Sequence, residues 1–300
     1  MFATLAATAI PNVTVAPGVQ MPMMAFGTAR TSLTSCSVQS GVQQWLHLGG
    51  RHLDTADDYG TQPDVGRALK AAGVNRRDLF ITTKIPGPIG YHAAVEKIRG
   101  TALPQLGLDY IDLVLIHFPC KLFIEPCGGF QAAARRETWR GLQDLRRAGL
   151  VRAIGVSNFN AEQVNQIVKE FGEAPAVNQV QFHLAYHDEG LRGAMRSLNV
   201  TLEAWASLGG PTVHGHKPVI PLGDPRLREI ALRYNVSTAQ LALRWETQKG
   251  VVPVTATCSA AHAAGDLSSF ALDISEEDMA RLDAMAPQRM DDAVRRNRYY

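Results

Sequence analysis

The sequence predicts an α/β protein, a (β/α)8 TIM barrel with an N-terminal β-hairpin that closes the bottom of the barrel. Eight short apolar runs alternate with longer stretches of helical periodicity, and no change of composition divides the 300 residues. Many of the runs are apolar at nearly every position, which is typical of parallel strands covered on both faces. We therefore expect residues 1–300 to form one barrel domain.

The elements follow one another in a regular order. The hairpin is expected at 13–16 and 19–21, around a turn at Pro17 and Gly18. The barrel strands are expected at 23–29, 52–56, 79–85, 111–118, 153–157, 176–182, 201–207 and 251–256. The helices are expected at 37–48, 63–72, 92–106, 136–148, 161–171, 189–198, 225–234 and 237–248. Asn160 and Ser237 are placed to cap helices, and Gly149 is placed to end one.

Two long irregular stretches, 119–130 and 209–224, follow predicted strands. Loops of this length inside a compact domain are usually functional. We expect both to lie at the upper rim of the barrel and to act as lids.

Composition excludes several classes of protein. A formal net charge of +2 gives no reason to expect nucleic-acid binding, and no apolar run is long enough to span a membrane. The apolar first ten residues lack the basic region of a signal peptide. The four cysteines, Cys36, Cys120, Cys127 and Cys258, show no C-x-x-C pair and no histidine at zinc spacing. We expect reduced thiols, a cytoplasmic protein and no metal site.

Three successive predicted strands deliver titratable side chains at or near their carboxyl ends. These are Asp54, Lys84 and His117, and Tyr59 follows Asp54 by five residues. Singly, such residues are usually surface ion pairs, packing tyrosines or buried histidines. Because the carboxyl ends of barrel strands meet at one mouth, the joint pattern indicates an active site.

This set of side chains suits proton donation to a carbonyl oxygen. The Lys84 ammonium is expected to lower the pKa of Tyr59 from its ordinary value of about 10. Asp54 is expected to hold Lys84, and His117 to orient the substrate oxygen while Tyr59 protonates it. Asp57 and Asp58 are expected to be loop or cap residues without a catalytic role.

With these residues in place, the sequence resembles the aldo-keto reductase family over nearly its whole length. The matching segments are 18–28, 53–60, 65–69, 81–84, 108–117, 149–159 and 177–179. The resemblance implies NADP(H)-dependent reduction of an aldehyde or ketone, with Asp54, Tyr59, Lys84 and His117 as the catalytic tetrad. It also implies a nicotinamide site without a Rossmann motif.

The resemblance assigns cofactor contacts to polar and aromatic residues at the barrel mouth. These contacts are Thr28, Asp54, Ser157, Asn158, Gln179 and Trp205. Ser157 and Asn158 could instead cap the following helix, and Trp205, where the family usually has Tyr, could instead be a core residue. An indole offers a stacking face as good as that of a phenol.

The adenosine end of the cofactor site departs from the family pattern. Thr255 and Thr257 fit a variant of that site, but Ser259 and His262 occupy the positions of its two basic residues. Because charge-assisted hydrogen bonds are the stronger class, we expect weakened affinity for NADP(H), or a relaxed preference that admits NAD(H).

The predicted substrate wall is also unusual. Ala29 stands where the family has an aromatic residue, Pro86 follows Lys84 by two positions, and Phe118 takes the place of a common Trp. We expect a wide pocket that accepts bulky or branched ketones, unless the stretch 119–130 refills it.

Two other functions are compatible with parts of the pattern. A cofactor-binding regulatory subunit with slow turnover would keep the same tetrad. A barrel lyase or isomerase would need a metal or phosphate site, and His183 with His187 lacks a third ligand nearby in sequence. The expected partner is a small carbonyl compound, and we expect a monomer, with a dimer as the alternative.

Overall fold

The computed structural model describes residues 10–30, 35–120, 130–209 and 222–286. Two hairpin strands, β1 (Asn12–Ala16) and β2 (Val19–Pro22), precede the barrel. The barrel strands are β3 (Ala25–Gly27), β4 (His52–Asp54), β5 (Phe80–Ile85), β6 (Ile111–Ile116), β7 (Val151–Ser157), β8 (Val177–Gln181), β9 (Thr201–Trp205) and β10 (Val252–Thr255). They pair in parallel in chain order, and β10 closes the barrel against β3. The predicted TIM barrel is confirmed.

Helices surround the barrel. They are α1 (Val38–His47), α2 (Gln62–Ala72), α3 (Tyr91–Glu96), α4 (Leu103–Leu106), α5 (Phe130–Arg147), α6 (Ala161–Phe171), α7 (Glu189–Ser197), α8 (Pro225–Arg233), α9 (Thr238–Gln248), α10 (Ala260–Ser268) and α11 (Glu276–Asp283). A π-helical segment, Lys97–Ala102, joins α3 to α4. A short 3-10 turn, Asp57–Tyr59, follows β4. No helix in the described ranges has the length and apolarity needed to cross a membrane.

The hairpin of β1 and β2 lies at the amino-terminal ends of the barrel strands, as predicted. Its buried side chains Val15 and Met21 belong to an apolar cluster with Phe80, Val177 and Val252, which all lie at the starts of strands. The bottom of the barrel is thereby closed by apolar packing, so the polar chemistry is confined to the opposite mouth.

Local capping signals are confirmed. Asn160 and Ser237 each form a capping box, with a reciprocal hydrogen bond to the glutamine three residues later. Gly149 follows α5 with a φ of +75°, a conformation that glycine adopts without steric cost.

Some element boundaries differ from the sequence-based prediction. Helix α5 begins at Phe130, six residues before the expected start, because alanine and arginine sustain a helix where hydrophobic periodicity is weak. Helices α10 and α11 were not predicted, although Ser259 and Ser275 cap them. The N-cap serines were the signal that could have identified both. Most of the two predicted lids, at 121–129 and 210–221, lies outside the described residues.

The expectation of reduced thiols is wrong. Cys36 and Cys258 form a disulfide, with their Cα atoms 5.6 Å apart and a sequence separation of 222 residues. Cys120 is disulfide-bonded as well. Cys36 follows β3 and Cys258 follows β10, so closure of the barrel brings together two cysteines that share no local spacing pattern.

Candidate active site

Asp54, Tyr59 and Lys84 meet at the mouth of the barrel. The Lys84 ammonium lies 2.6 Å and 2.7 Å from the two carboxylate oxygens of Asp54, and 3.2 Å from the Tyr59 hydroxyl. The adjacent strands β4 and β5 carry the two partners of the ion pair, and the 3-10 turn after β4 places Tyr59 beside them. The side chains of Lys84 and Asp54 are 0% and 3% exposed, so little solvent screens their charges.

The pKa of Tyr59 differs from the sequence-based expectation. Burial raises the pKa of this phenol to about 12, whereas the Lys84 ammonium pulls it in the opposite direction. The expected influence of Lys84 is present, but the desolvation of a phenolate outweighs it. Burial also opposes the charge of Lys84, yet attraction to Asp54 raises the pKa of this lysine above its ordinary value. At neutral pH the mouth therefore holds a protonated phenol beside an ammonium.

His117 lies beside Tyr59, and Asp58 holds it. Its Nδ1 is 3.1 Å from Asp58, and its ring stacks on Phe118 with centroids 4.4 Å apart. The rings of His117 and Tyr59 pack edge to face at 5.7 Å. Burial lowers the pKa of His117, and the hydrogen bond to Asp58 acts against that shift.

Asp58 was missed by sequence-based reasoning, which treated it as a loop residue like Asp57. The two neighbouring carboxylates have different partners, since Asp57 pairs with Lys97 at 2.8 Å. No pattern near residue 58 indicates the contact, because His117 is 59 residues away in the chain.

The predicted nicotinamide contacts form one hydrogen-bonded group. The Ser157 hydroxyl donates to the Gln179 carbonyl at 2.8 Å, and Asn158 Nδ2 donates to Ser157 Oγ at 3.2 Å. The Trp205 indole donates to Asn158 Oδ1 at 2.9 Å. Asn160, rather than Ser157 or Asn158, caps α6, so the helix-cap interpretation of those two residues is wrong. Trp205 is half-buried at the mouth and is not a core residue.

Gln179 links the tetrad to a second buried carboxyl group. Its Nε2 lies 2.8 Å from Asp54 Oδ2 and 2.8 Å from Glu203 Oε2. Burial, followed by repulsion from Asp54, raises the pKa of Glu203 to about 8. His52 lies 3.6 Å from Glu203, and burial lowers the pKa of this histidine to about 4. Sequence-based reasoning missed both groups, which alternate with apolar residues in their strands.

Thr28 contributes to the same crevice from the end of β3. Its backbone N–H and its hydroxyl both donate to the Asp54 carbonyl at 3.0 Å. The fully buried Thr28 therefore fixes the backbone of the residue that holds Lys84.

The residues predicted to bind the adenosine end of the cofactor surround the start of α10. Ser259 caps this helix by accepting the N–H of His262, and its own N–H donates to Thr257 Oγ1 at 3.1 Å. His262 is exposed, and residues 256–268 contain no Lys or Arg. The buried Thr255 hydroxyl donates to Asp266 at 2.9 Å, so it connects β10 to α10.

The three predicted wall residues lie at the ends of three strands. Ala29, Pro86 and Phe118 are each half-buried, just beyond β3, β5 and β6. His183 and His187 join no group of metal-ligating side chains in the part of the chain that the structure describes. His183 Nε2 instead lies 3.0 Å from Gln181 Nε2.

Comparisons with known proteins agree with this geometry. The model of the aldo/keto reductase family matches residues 21–287. Glyoxal reductase of Bacillus subtilis is 35% identical over 272 residues, which cover 89% of this chain and 90% of that protein. Morphine 6-dehydrogenase of Pseudomonas putida is 31% identical over 282 residues, 92% and 91% of the two chains.

A solved structure shows the same fold. The crystal structure of a Bombyx mori aldo-keto reductase in complex with NADP superposes with a TM-score of 0.85 at 31% identity, covering 97% of this chain and 98% of that one. The tetrad geometry, the family model and these relatives lead to one conclusion: the chain belongs to the aldo/keto reductase family.

Proposed function

We propose that this protein reduces an aldehyde or ketone to the alcohol, with a hydride from a nicotinamide cofactor and a proton from Tyr59. The contact of 3.2 Å between the Tyr59 hydroxyl and the Lys84 ammonium carries the proposal. Because the pKa of Tyr59 is raised to about 12, this group holds its proton until a substrate oxygen gains negative charge.

Lys84 and Asp54 prepare this proton transfer. As Tyr59 gives up its proton, negative charge develops on the phenol oxygen, next to the buried ammonium of Lys84. An ammonium that is already in place stabilises this charge without rearrangement. Asp54 maintains the charged form of Lys84 through two hydrogen bonds. His117, packed against Tyr59, orients the substrate oxygen.

The polar groups at the mouth fit a nicotinamide carboxamide. Within the described residues, Gln179 Oε1 accepts no hydrogen bond and is open to an amide N–H, while Asn158 Oδ1 keeps a second acceptor position. The indole of Trp205 is fixed by its bond to Asn158 and can present a stacking face. Ser157 positions Gln179, and Thr28 with Asp54 lines the crevice. The bound cofactor supplies the hydride.

We propose NADP(H) as the cofactor, with a preference weak enough to admit NAD(H). The NADP complex of the Bombyx mori relative supports NADP(H). The start of α10, with Thr257 and Ser259, suits a phosphate because helix N-termini attract anions. The absence of Lys and Arg from 256–268 supports the weak preference. Titration with both reduced cofactors tests it, and strong selectivity for NADPH at sub-micromolar affinity contradicts it.

The proposed substrates are bulky or branched ketones as well as aldehydes. Ala29 and Pro86 place small side chains at the predicted wall of the substrate pocket, and the ring of Phe118 stacks on His117. A panel of carbonyl compounds of increasing size tests this proposal. Activity restricted to small aldehydes contradicts an open pocket.

A Tyr59→Phe variant tests the proton donor. We expect kcat for aldehyde reduction to fall by about 10²–10⁴-fold with little change in cofactor affinity, since only the acid is removed. Tyr91→Phe is the matched control, because Tyr91 bonds to Asp144 outside the barrel. Wild-type kcat in Tyr59→Phe contradicts the assignment. If the wild type binds the cofactor but consumes none with reactive aldehydes, the regulatory-subunit alternative is favoured.

We also propose one barrel domain spanning residues 1–300, which acts as a monomer in the cytoplasm. The hairpin and the barrel strands belong to one continuous series of elements, which supports a single domain. The Cys36–Cys258 disulfide argues against the cytoplasmic location, because such bonds are rare in cytosolic proteins. Light scattering tests the monomer, and thiol trapping in fractionated cells tests the location.

A further inference from the structure

The Asp58–His117 contact determines which ring nitrogen of His117 carries a hydrogen. Nδ1 of His117 lies 3.1 Å from both carboxylate oxygens of Asp58. An ionised carboxylate only accepts hydrogen bonds, so the imidazole must carry a hydrogen on Nδ1. The side chain of Asp58 is 41% exposed, and the hydrogen bond from His117 overcomes its partial burial to keep the pKa of this carboxyl below its usual range.

The surroundings of the imidazole restrict its orientation. Phe118 stacks on one face, and Tyr59 packs edge to face against the ring. The backbone carbonyl of His117 accepts from Asn158 Nδ2 at 3.0 Å. Within the described residues, no hydrogen bond occupies Nε2, which is therefore the nitrogen left for a substrate oxygen.

We propose that Asp58 is a positioning residue that fixes His117 in its Nδ1–H form, so that His117 donates to a carbonyl oxygen only as an imidazolium. In the neutral Nδ1–H form, Nε2 carries a lone pair and accepts a hydrogen bond. It therefore accepts from an alcohol product, but it repels the lone pairs of a carbonyl substrate. The proposal rests on the proposed carbonyl reduction.

This assignment sets the pH dependence of reduction. Burial opposes the imidazolium, Lys84 opposes it further, and the carboxylates of Asp58 and Asp54 favour it. Among the described residues, Tyr59 is a further titratable neighbour, and it stays neutral because its pKa is about 12. The pKa of His117 is lowered from its ordinary value of about 6.5. Above about pH 6.5 the ring is therefore mostly neutral, and the active imidazolium becomes scarcer as pH rises further. Reduction then declines about tenfold per pH unit.

The test uses Asp58→Asn and its neighbour Asp57→Asn. The amide that Asp58→Asn introduces can donate to Nδ1 of His117, which permits a neutral ring with hydrogen on Nε2. We expect kcat/KM for reduction to fall about tenfold per unit between about pH 6.5 and about pH 8.5 in the wild type, and by less than about twofold in Asp58→Asn. Asp57→Asn removes an equal charge from a residue that contacts Lys97 instead, so it should keep the wild-type profile.

Nitrogen NMR of the imidazole provides a readout that does not depend on turnover. We expect hydrogen on Nδ1 of His117 in the wild type and in Asp57→Asn, and a gain of the Nε2–H form in Asp58→Asn. Hydrogen on Nε2 in the neutral wild type, or an unchanged pH profile in Asp58→Asn, overturns the proposal. If hydrogen is found on Nδ1 but no carbonyl compound is reduced, it is the proposed function that fails.

Discussion

The ammonium of Lys84 and the carboxylate of Asp54 form a buried ion pair with two short hydrogen bonds, at 2.6 Å and 2.7 Å. Both side chains are almost completely withdrawn from solvent. Bulk solvent screens neither charge well, so each depends on the other and on hydrogen bonds with Thr55, Tyr59 and Gln179.

Replacement of one partner of this ion pair should destabilise the fold. We expect Asp54→Asn to lower the free energy of unfolding by about 3–5 kcal/mol, because it leaves the Lys84 ammonium buried without a counter-charge. Urea unfolding measures this loss. Adding Lys84→Met to Asp54→Asn should restore part of the stability, and additive losses in the double variant would contradict direct coupling.

Stability should fall as pH rises from 6.5 to about 8. The pKa of Glu203 is raised from 4.5 to about 8, so in this window the folded state keeps a proton that the unfolded chain has released. Folding is therefore favoured less as pH rises. His52 acts oppositely, since its pKa is lowered from 6.5 to about 4, but most of its effect is complete by pH 6.5.

Urea unfolding at pH 6.5 and at pH 8 tests the role of Glu203. Glu203→Gln should show a smaller loss of stability between the two pH values than the wild type. The matched control is Glu229→Gln on α8, whose exposed side chain pairs with Arg233 and Arg281. An equal loss in the wild type and in Glu203→Gln would rule out Glu203 as a source of the trend.

Removal of the Cys36–Cys258 disulfide should lower the melting temperature. The bond closes a loop across 222 residues, and disulfides typically contribute about 2–4 kcal/mol by restricting the unfolded chain. Thermal unfolding of the paired Cys36→Ser and Cys258→Ser variant measures the loss. The reduced wild type gives an upper limit for this loss of stability, because reduction also opens the disulfide bond of Cys120. A paired variant as stable as the oxidised wild type would contradict a stabilising role.

A cation at position 262 should strengthen NADPH binding. We expect His262→Arg to lower the Kd for NADPH about tenfold and to leave that for NADH unchanged, because a charge-assisted bond to the 2′-phosphate is worth about 1.5 kcal/mol or more. Quenching of tryptophan fluorescence measures both affinities. Ala264→Arg adds the same charge to an exposed position of α10 and serves as the control. Equal gains in the two variants would place the phosphate elsewhere.

Much of the architecture could be predicted because its signals are local. Apolar runs located the eight barrel strands, and single side chains such as Asn160 and Ser237 marked helix starts. The spacing of Asp54, Lys84 and His117 at strand ends was sufficient to predict that they share one mouth, because parallel strands in a closed barrel end on the same side.

Which side chains touch at that mouth could be learned from the three-dimensional structure alone. The Asp58–His117 contact, the bridge from Gln179 to Asp54 and Glu203, and the Cys36–Cys258 bond join residues far apart in sequence. The raised pKa of Tyr59 likewise depends on burial by the surrounding elements. The arrival of Asp54, Tyr59, Lys84 and His117 at one mouth could be predicted from sequence, since strand period and chain order are local properties. Their partners and protonation depend on distances and desolvation, which arise only when the barrel closes.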